Sequence, residues 1–329
     1  MAGRREWTGE SLVAGVRAGD RRALARAITL VENGDSLAYE IVAALYPETG
    51  RAYTLGVTGP PGVGKSSLIS ALVAHVRGLG QTAGVISIDP SSPFSQGALL
   101  GDRIRLSEHF LDPGVFIRSM GTRGHMGGLA EATLQALLIL DASGKDLVCV
   151  ETVGTGQSEV EVAGVADTVL LVLMPGSGDA VQALKAGIME IPDVIAVNKR
   201  DHPAARTMLS DVRSVLVLDR GGDWHPPIVL TEAVRSEGIS ELWEKVEEHR
   251  AHLERDGKLE QRRREHLAAE VFTVALARAK VLLERTVRED PELGRVLAGV
   301  QDRRLDPLTA VREILEKAFR IEGEKAGPR

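Results

Sequence analysis

Residues that can hold a phosphate group stand together early in the chain. The stretch Gly59-Pro60-Pro61-Gly62-Val63-Gly64-Lys65-Ser66-Ser67 fits the pattern G-x-x-x-x-G-K-[ST]. Glycines let backbone N–H groups fold around phosphate oxygens, and the N-terminus of the following helix adds the positive end of its dipole. We expect Lys65 to reach the β- and γ-phosphates and the Ser66 hydroxyl to bind Mg²⁺. An ordinary strand-to-helix turn is the alternative interpretation.

Acidic residues follow two of the apolar runs that predict strands. Asp89 follows Ala83–Ile88, and Glu151 follows Asp146–Val150. Because the carboxyl ends of parallel strands meet at one edge of a sheet, both carboxylates are predicted to face the ligand crevice. Mg²⁺ keeps several waters and binds through carboxylates, so these two acids and Asp102 are candidate magnesium ligands. Helix capping is the alternative role for each of them.

A second phosphate-contacting element begins at the same glutamate. Glu151-Thr152-Val153-Gly154 has the form E-x-x-G, in which the N–H of Gly154 can bind the terminal phosphate and release it after hydrolysis. Many GTPases place a water-orienting glutamine directly after this glycine. Here that position is Thr155, and Gln157 stands two residues further on. We therefore expect slow intrinsic hydrolysis that rises with the partner, and Gln157, Arg105 and Arg123 are candidates to help it. A structural or partner-contact role is the alternative for each of them.

The stretch Asn198-Lys199-Arg200-Asp201 predicts which base is bound, since it has the form N-K-x-D at the end of an apolar run. Guanine presents N1–H and N2–H₂ donors side by side, and one carboxylate accepts both. Adenine lacks that pair and leaves the carboxylate unpaired, a difference able to discriminate by ~10⁴ or more. Asp201 is therefore predicted to read guanine, Asn198 to tie this loop to the phosphate loop, and Lys199 to cover the base. A polar loop would be the better interpretation if the motif stood alone.

The next predicted strand leads into Thr231-Glu232-Ala233-Val234. The corresponding loop of GTPases usually reads Ser-Ala-Lys and offers a backbone N–H to guanine O6. Glu232 takes the position of that serine here. Only the backbone role of this loop carries over, centred on Ala233.

Short apolar runs alternate with helical patterns from about Tyr53 onward. Several are rich in Val, Ile and Leu on both faces, as expected for a parallel sheet covered by helices on both sides. The predicted strands are Tyr53–Thr58, Ala83–Ile88, Val115–Ser119, Asp146–Val150, Thr168–Leu173, Val194–Val197 and Pro227–Leu230. The predicted fold is α/β, a doubly wound and mostly parallel sheet of the P-loop NTPase type with N-terminal and C-terminal helical extensions.

Three segments are predicted along the chain: a helical extension over 1–50, a GTPase domain over 51–255 and a helical arm over 256–329. Thr8 is a candidate N-cap, with Ser11 three residues on. Within the C-terminal part, Arg262-Arg263-Arg264 and the pair His249-x-x-His252 are interpreted as solvated helix faces rather than as a nucleic-acid patch or a metal site.

Composition excludes several classes of protein. Hydrophobic residues make up 43% and charged residues 26% of 329 residues, which argues against wholesale disorder. The net charge of -6 gives no general attraction to nucleic acid or anionic membranes, and aromatics at 3% argue against stacking platforms for single strands. The single cysteine, Cys149, fits a reducing compartment. With no membrane span or leader pattern in view, a cytoplasmic location is predicted.

With these elements in place, the chain resembles the MeaB/ArgK family of GTPases that accompany adenosylcobalamin-dependent acyl-CoA mutases. The resemblance covers most of the chain, from about Thr8 to the helical tail, and includes motifs beyond those of GTPases in general. Those motifs are Asp89-Pro90-Ser91-Ser92-Pro93, Gly101-Asp102-Arg103-Ile104-Arg105, Arg118-Ser119-Met120-Gly121-Thr122-Arg123-Gly124, Glu151-Thr152-Val153-Gly154-Thr155-Gly156-Gln157-Ser158-Glu159 and the stretch Trp224–Trp243.

The resemblance implies a GTP- and GDP-binding chaperone that gates cofactor loading into the mutase and helps to reactivate it. It implies a homodimer held by the C-terminal arm. It also implies that Mg²⁺ is held by residues that match Ser66, Asp89, Asp102 and Glu151. The loop Pro175–Gly187, with Lys185, looks like the family's extra switch, although an exposed helix lysine is the alternative. Catalytic candidates are Lys65, Glu151, Gln157 and Lys185.

Two rival functions are weighed against this one. A nickel-type metallochaperone GTPase shares the sheet and the E-x-x-G element but needs a Cys/His ligand set, and this chain has one cysteine and eight scattered histidines. A small-molecule kinase shares the phosphate loop, and the N-K-x-D loop argues against it. The sequence does not identify which acyl-CoA mutase is the partner.

Overall fold

The structure is a computed structural model that describes residues 7–89, 106–121, 128–152, 162–176, 191–216 and 223–319. The chain divides into two compact units, with the boundary between Glu270 and Val271. The strands are β1 Tyr53–Thr58, β2 Ala83–Asp89, β3 Val115–Gly121, β4 Leu147–Thr152, β5 Thr168–Leu173, β6 Val194–Val197 and β7 Ile228–Leu230. The helices are α1 Gly9–Arg17, α2 Arg21–Glu32, α3 Ser36–Leu45, α4 Lys65–Gly78, α5 Gly128–Ala142, α6 Ala205–Leu216, α7 Ile239–Glu254, α8 Lys258–Glu289, α9 Pro291–Gln301 and α10 Pro307–Phe319.

The seven strands form one sheet in the order β3-β2-β4-β1-β5-β6-β7. Every pairing between them is parallel. All residues of β4 and β5 are buried, which explains why these strands appear in the sequence as continuous apolar runs rather than as alternating ones. The predicted doubly wound α/β fold is confirmed. The sheet is parallel throughout rather than mostly parallel.

Helices cover both faces of the sheet. On one face, α4 and α7 pack on alternate residues of the central strands, with Leu72 and Val246 among the fully buried side chains. On the other face, α1, α2, α3 and α5 pack on residues such as Ile86 and Val148, and α6 packs at the far side on β5 and β6. The N-terminal helices therefore belong to the core of the first unit.

The N-terminal helices begin and end at recognisable residues. Thr8 caps α1, with its Oγ1 accepting from the N–H of Ser11 at 3.2 Å while the Ser11 hydroxyl accepts from the N–H of Thr8. The apolar spacing suggests one continuous helix up to Leu30, but the structure has two. Gly19, with φ +68°, and the N-cap Asp20 separate them.

Two interpretations of the C-terminal sequence are wrong. Arg262 and Arg263 are half-buried and form ion pairs with Asp193 and Asp167 at 3.0 and 2.7 Å, so they are not a solvated face. His249 is 2% exposed, and its Nδ1 lies 2.7 Å from Thr168 Oγ1. Asp167 and Asp193 directly precede β5 and β6, so these contacts fasten α7 and the start of α8 to the amino edge of the sheet, the edge at which the parallel strands begin.

The second unit contains the rest of α8 with α9 and α10. The Asp290 carboxylate caps α9 by accepting from the N–H groups of Glu292 and Leu293, and Lys317 of α10 contacts both Asp290 and Glu292. Within the described ranges, none of the helices combines the length and the apolar character that crossing a membrane requires.

Candidate nucleotide site

The glycine-rich loop joins β1 to α4 at the carboxyl edge of the sheet, the edge at which the strands end. Two of its glycines cannot be replaced without displacing a neighbour. A Cβ on Gly59, where φ is +137°, would lie 2.1 Å from the carbonyl oxygen of Val172. A Cβ on Gly64, where φ is +96°, would lie 2.5 Å from Nδ2 of Asn198. The loop is therefore closely packed against β5 and against the loop that follows β6.

Lys65 begins α4 and turns back over the loop that precedes it. Its side chain is 6% exposed, and Nζ donates to the carbonyl oxygens of Gly59 at 2.7 Å and Pro60 at 3.1 Å. A buried ammonium group is stable only when oxygens surround it. The fold thus holds a positive charge inside the glycine-rich loop, where the terminal phosphates of a nucleotide would be bound.

Next to Lys65, a buried carboxylate meets two hydroxyl groups. The Ser66 hydroxyl donates to Oε1 of Glu151 at 2.7 Å, and the Ser87 hydroxyl donates to Oε2 at 3.1 Å. The register of the sheet places Glu151 beside Val57 of β1 and Ser87 of β2. The carboxylate, together with burial, raises the pKa of the neighbouring Cys149 thiol to about 12, with burial as the larger cause.

Other predicted site residues lie at or beyond the limits of the described structure. Asp89 is the last residue of β2, and its backbone lies opposite Gly121 of β3. The structure does not describe its side chain. Asp102, Gly154, Gln157 and Lys185 lie outside the described residues. Among the described residues, no three His, Cys, Asp or Glu side chains are grouped so as to hold a metal ion.

Asn198 joins three loops at this edge. Its Nδ2 donates to the carbonyl oxygen of Val63 at 2.9 Å, which is the contact between the N-K-x-D loop and the glycine-rich loop that the sequence predicts. Its Oδ1 accepts from the Thr231 hydroxyl at 3.3 Å and from the N–H of Ala233 at 3.1 Å. Asn198 is buried, so one amide group fixes the phosphate loop and the predicted base loops relative to each other.

Lys199 has a backbone conformation that few residues other than glycine adopt, with φ of +59°. Its Nζ lies 3.3 Å from the carbonyl oxygen of Gly62 and 3.0 Å from the sulfur of Met174. The methylene chain is thereby laid toward the phosphate loop. Strained backbone of this kind is concentrated at ligand sites.

The loop after β7 contains the remaining predicted base contacts. Glu232 and Ala233 are buried, and Val234 is exposed. The N–H of Arg200 donates to the carbonyl oxygen of Thr231 at 3.0 Å, which adds a further link between this loop and the N-K-x-D loop. Asp201 is exposed at the surface of the same region.

The arrangement matches a known family. The family model described as "Methylmalonyl Co-A mutase-associated GTPase MeaB" matches residues 24–289. The chain belongs to this family. The resemblance stated from the sequence motifs is therefore confirmed, and the GTPase activity of the family is consistent with a glycine-rich loop joined directly to an N-K-x-D loop.

Relatives of known description agree with this assignment. A putative GTPase of Pyrococcus abyssi is 47% identical over 312 residues, covering 94% of this chain and 96% of the relative. The GTPase ArgK of Escherichia coli is 33% identical and covers 92% of this chain and 94% of its own. The mouse protein described as "Methylmalonic aciduria type A homolog, mitochondrial" is 35% identical over 273 residues, covering 77% of this chain and 66% of its own.

Among solved structures, one described as a LAO/AO transport system kinase covers 97% of this chain and 100% of its own. It superposes with a TM-score of 0.71 at 28% sequence identity. The two proteins therefore share the arrangement of their strands and helices as well as part of their sequence.

Two contacts in the site, made by Ser87 and Thr231, were not predicted from the sequence. Ser87 lies inside a buried strand, and no motif marks it, yet it binds the same carboxylate as Ser66. Thr231 contacts Asn198 from another strand end. Two of the three loop-to-loop contacts of Asn198 are made by backbone groups, which are the same in every residue type. The position of Thr231 directly after an apolar strand, at the binding edge, is the one signal that could have indicated its contact.

A cavity of about 130 Å³ lies elsewhere, at the amino edge of the sheet. Its lining includes Ala52, Leu137, Asp167 and Arg263. Because these residues come from the amino edge, the cavity is separate from the candidate nucleotide site.

Proposed function

We propose that the protein binds and hydrolyses GTP as the chaperone of an adenosylcobalamin-dependent acyl-CoA mutase, gating cofactor loading and protecting the mutase. The observation that carries the proposal is the direct connection of the phosphate loop to the base loop through Asn198. Its Nδ2 donates to the carbonyl oxygen of Val63 at 2.9 Å, and its Oδ1 accepts from the N–H of Ala233 at 3.1 Å. A triphosphate held at one loop thereby has its base presented to the other. Membership of the mutase-associated family supports the identity of the partner.

The chemistry is the in-line attack of water on the γ-phosphorus. In such a reaction, catalysis comes mainly from positioning and from charge stabilisation. Lys65 supplies a positive charge held against the loop by the carbonyl oxygens of Gly59 and Pro60, and the N-terminus of α4 adds the positive end of the helix dipole. A bound triphosphate exchanges the carbonyl contacts of Lys65 for contacts with phosphate oxygens.

The residues at the bottom of the site fit a magnesium ion. The Ser66 hydroxyl and the Glu151 carboxylate are both oxygen ligands, they are buried, and they lie 2.7 Å apart. A serine hydroxyl beside a carboxylate is an oxygen donor set of the kind that Mg²⁺ prefers. We place Mg²⁺ against Ser66 and Glu151, with Asp89 and Asp102 completing the carboxylate set. When bound, the ion offsets the negative charge of the β- and γ-phosphates.

Intrinsic turnover is proposed to be slow and to rise with the mutase. Thr155 stands where many GTPases have a water-orienting glutamine. Gln157 and Lys185 are proposed to act when the partner is bound. The test is GTP turnover by the purified protein with and without each candidate acyl-CoA mutase. Turnover typical of an activated GTPase in the protein alone would contradict this part of the proposal.

Association with the mutase is tested by capture. Immobilised protein loaded with GDP, or with a non-hydrolysable GTP analogue, is offered purified methylmalonyl-CoA mutase and its relatives. We expect retention to depend on the nucleotide for one mutase. Equal retention in both states, or no retention of any mutase, would contradict the chaperone role without affecting nucleotide binding.

Base selection is tested with Asp201→Asn. The amide that replaces one carboxylate oxygen donates a hydrogen bond where guanine also donates, so selectivity for GTP over ATP is expected to fall by about 10⁴. Xanthosine triphosphate has a carbonyl at C2 in place of the amino group and should bind the variant better than GTP does. Unchanged preference for GTP in equilibrium binding would overturn the assignment of the base site.

The C-terminal arm is proposed to hold a homodimer. Large apolar side chains of α8 in the second unit are exposed, with Phe272 70% and Leu276 71% exposed. Phe272→Glu with Leu276→Glu is expected to convert a dimer into a monomer, measured as mass by light scattering. Leu111→Glu is the control, because Leu111 is 93% exposed in the first unit. A wild-type protein that is monomeric at high concentration would contradict the proposal.

A further inference from the structure

One buried acid at the candidate base site has no role in the function proposed above. Glu232 is 7% exposed, and its Oε2 is fully enclosed. Among the described residues, no N–H or O–H group donates to that oxygen. The backbone N–H of Val234 lowers the pKa of this carboxyl group, against the larger effect of burial. An ionised carboxylate in such surroundings would leave half of its acceptors unmet, which is strongly unfavourable.

The carboxyl of Glu232 faces another carboxyl group, that of Asp201. Burial, followed by the contact with Asp201, raises the pKa of Glu232 above the ordinary value for a glutamate. Arg235 is the cation that opposes this shift. Arg200, on the N-K-x-D loop, is directed to Glu237 at 3.6 Å instead. The buried carboxyl group of Glu232 therefore binds a proton more readily than an ordinary glutamate does.

The backbone around Glu232 is fixed by hydrogen bonds on both sides. The N–H of Glu232 donates to the carbonyl oxygen of Glu237 at 2.9 Å, and the N–H of Glu237 donates back at 3.1 Å. Gly238 lies so close to β7 that a Cβ there would be 2.3 Å from the carbonyl oxygen of Leu230. With Ala233 held by Asn198, the loop is anchored on both sides of Glu232.

We propose that Glu232 is a positioning residue for Asp201: its neutral carboxyl donates a hydrogen bond to the Asp201 carboxylate and holds that exposed group toward the guanine edge. The inference rests on the proposed function, because it assigns a task to Glu232 only if Asp201 reads guanine. A carboxylate has about four lone-pair sites, enough for the N1–H and N2–H of guanine and the O–H of Glu232 together. Ordering Asp201 before the base arrives lowers the entropic penalty of binding.

The sign of the pH dependence follows from the protonation state. Below its raised pKa, Glu232 is neutral and the hydrogen bond to Asp201 is present. As the pH rises through that pKa, the proton is lost, two carboxylates stand in contact, and Asp201 is repelled toward solvent. The affinity of the wild-type protein for guanine nucleotides is therefore expected to fall with rising pH.

The experiment measures the Kd for GDP by calorimetry from pH 5 to 9 in the wild type, Glu232→Gln and Glu232→Ser. Gln is a neutral donor at every pH, and Ser lacks the reach. Titration of the GDP phosphate and of guanine itself acts equally on all three proteins, so it cancels in the ratio of Kd between wild type and Glu232→Gln. If the pKa of Glu232 differs by one unit between the free and the guanine-bound protein, Kd changes tenfold between the acid and the alkaline limits.

The expected ratio of wild-type Kd to Glu232→Gln Kd is near one at the acid end and on the order of tenfold at the alkaline end. Glu232→Ser is expected to bind several-fold more weakly than Glu232→Gln at every pH. A ratio that stays constant while GDP still binds in preference to ADP overturns the positioning role and leaves the proposed function intact. Equal Kd values for the Gln and Ser variants overturn it as well.

Equal binding of GDP and ADP by the wild type overturns the proposed function, and the inference with it. Thermal melting of each variant checks folding, and the Ser variant serves alone if the Gln variant does not fold.

Discussion

The two edges of the sheet each bury a lysine, and the two lysines have different surroundings. At the carboxyl edge, Lys65 is 6% exposed and donates to two carbonyl oxygens of its own loop, the nearer at 2.7 Å. At the amino edge, Lys145 is 8% exposed, and its Nζ lies 3.4 Å from the carbonyl oxygen of Gly114. Burial lowers the pKa of Lys145. Lys65 begins α4 and contacts the glycine-rich loop that is proposed to bind phosphate, whereas Lys145 is buried at the opposite edge of the sheet.

The acids of the two edges differ in the same way. At the amino edge, Asp167 and Asp193 each accept two hydrogen bonds from an arginine, Arg263 and Arg262 respectively. At the carboxyl edge, Glu151 accepts from serine hydroxyls. Paired charges resist rearrangement, whereas contacts with hydroxyls and carbonyls can be exchanged for phosphate oxygens or a cation. The amino edge is therefore held by buried ion pairs, and the proposed ligand site lies at the carboxyl edge, where the buried charges have exchangeable partners.

The sharpest test of that contrast replaces each lysine with methionine, which keeps the length of the side chain. Lys65→Met is expected to lower GTP turnover by about 10³-fold, because it removes a charge placed against the transferred phosphate. Lys145→Met is the matched control and should leave turnover within twofold. The measurement is single-turnover hydrolysis at saturating GTP. Comparable losses in both variants would show that the loss of turnover comes from removing a buried lysine, whichever edge of the sheet it lies at.

A second prediction concerns the amino edge alone. Arg263→Ala leaves the Asp167 carboxylate buried without its partner, and the free energy of unfolding is expected to fall by about 3 kcal/mol. Arg264→Ala, at the exposed neighbouring position, should change it by less than about 0.5 kcal/mol. Denaturant unfolding monitored by circular dichroism gives both values. GDP affinity is expected to be the same in the two variants, and a selective loss of affinity in Arg263→Ala would break the separation between the edges.

The smallest expected effect is a pH dependence of stability at the amino edge. Burial lowers the pKa of His249 to about 4, with Asp193 and Asp167 raising it and Arg262 and His252 lowering it. The unfolded chain binds the proton near pH 6.5, so this contribution to stability is present above pH 6.5 and is lost as the pH falls toward 4. A loss of about 2 kcal/mol between pH 7 and 5 is expected. His249→Asn should remove that slope, and an equal slope in wild type and variant would contradict the assignment.

The sheet and the phosphate loop could be predicted from local pattern because their signals are local. Continuous apolar runs predicted the ends of each strand to within two residues. All residues of the phosphate-loop motif lie in one continuous stretch, from Gly59 to Ser67. Within the predicted helical arm, the separate helix α9 has only a weak local signal: Asp290-Pro291 is a common helix start, but the polar residues around it obscure its apolar spacing. The break at Gly19 was missed because the apolar spacing continues across it.

The ion pairs of the amino edge could not be predicted in the same way. Arg262 and Asp193 are 69 positions apart, and Arg263 and Asp167 are 96 apart. Three consecutive arginines beside glutamates look like a solvated helix face until the fold brings the two aspartates beneath them. The contact between Glu232 and Asp201 is hidden for the same reason, since each acid lies in a different loop. Local sequence does not indicate which residue, far away in the chain, forms the ion pair with a given charged side chain.

The one cysteine of the chain has a practical consequence for experiments on this protein. Cys149 is 0% exposed within β4, and its thiol has a pKa of about 12. Because the thiolate is the nucleophile, maleimide and disulfide reagents should leave the native protein unmodified at neutral pH. A cysteine introduced on the surface then becomes the sole attachment point for a dye or spin label, and distances in the proposed dimer or to the proposed mutase partner can be measured without first removing the natural residue.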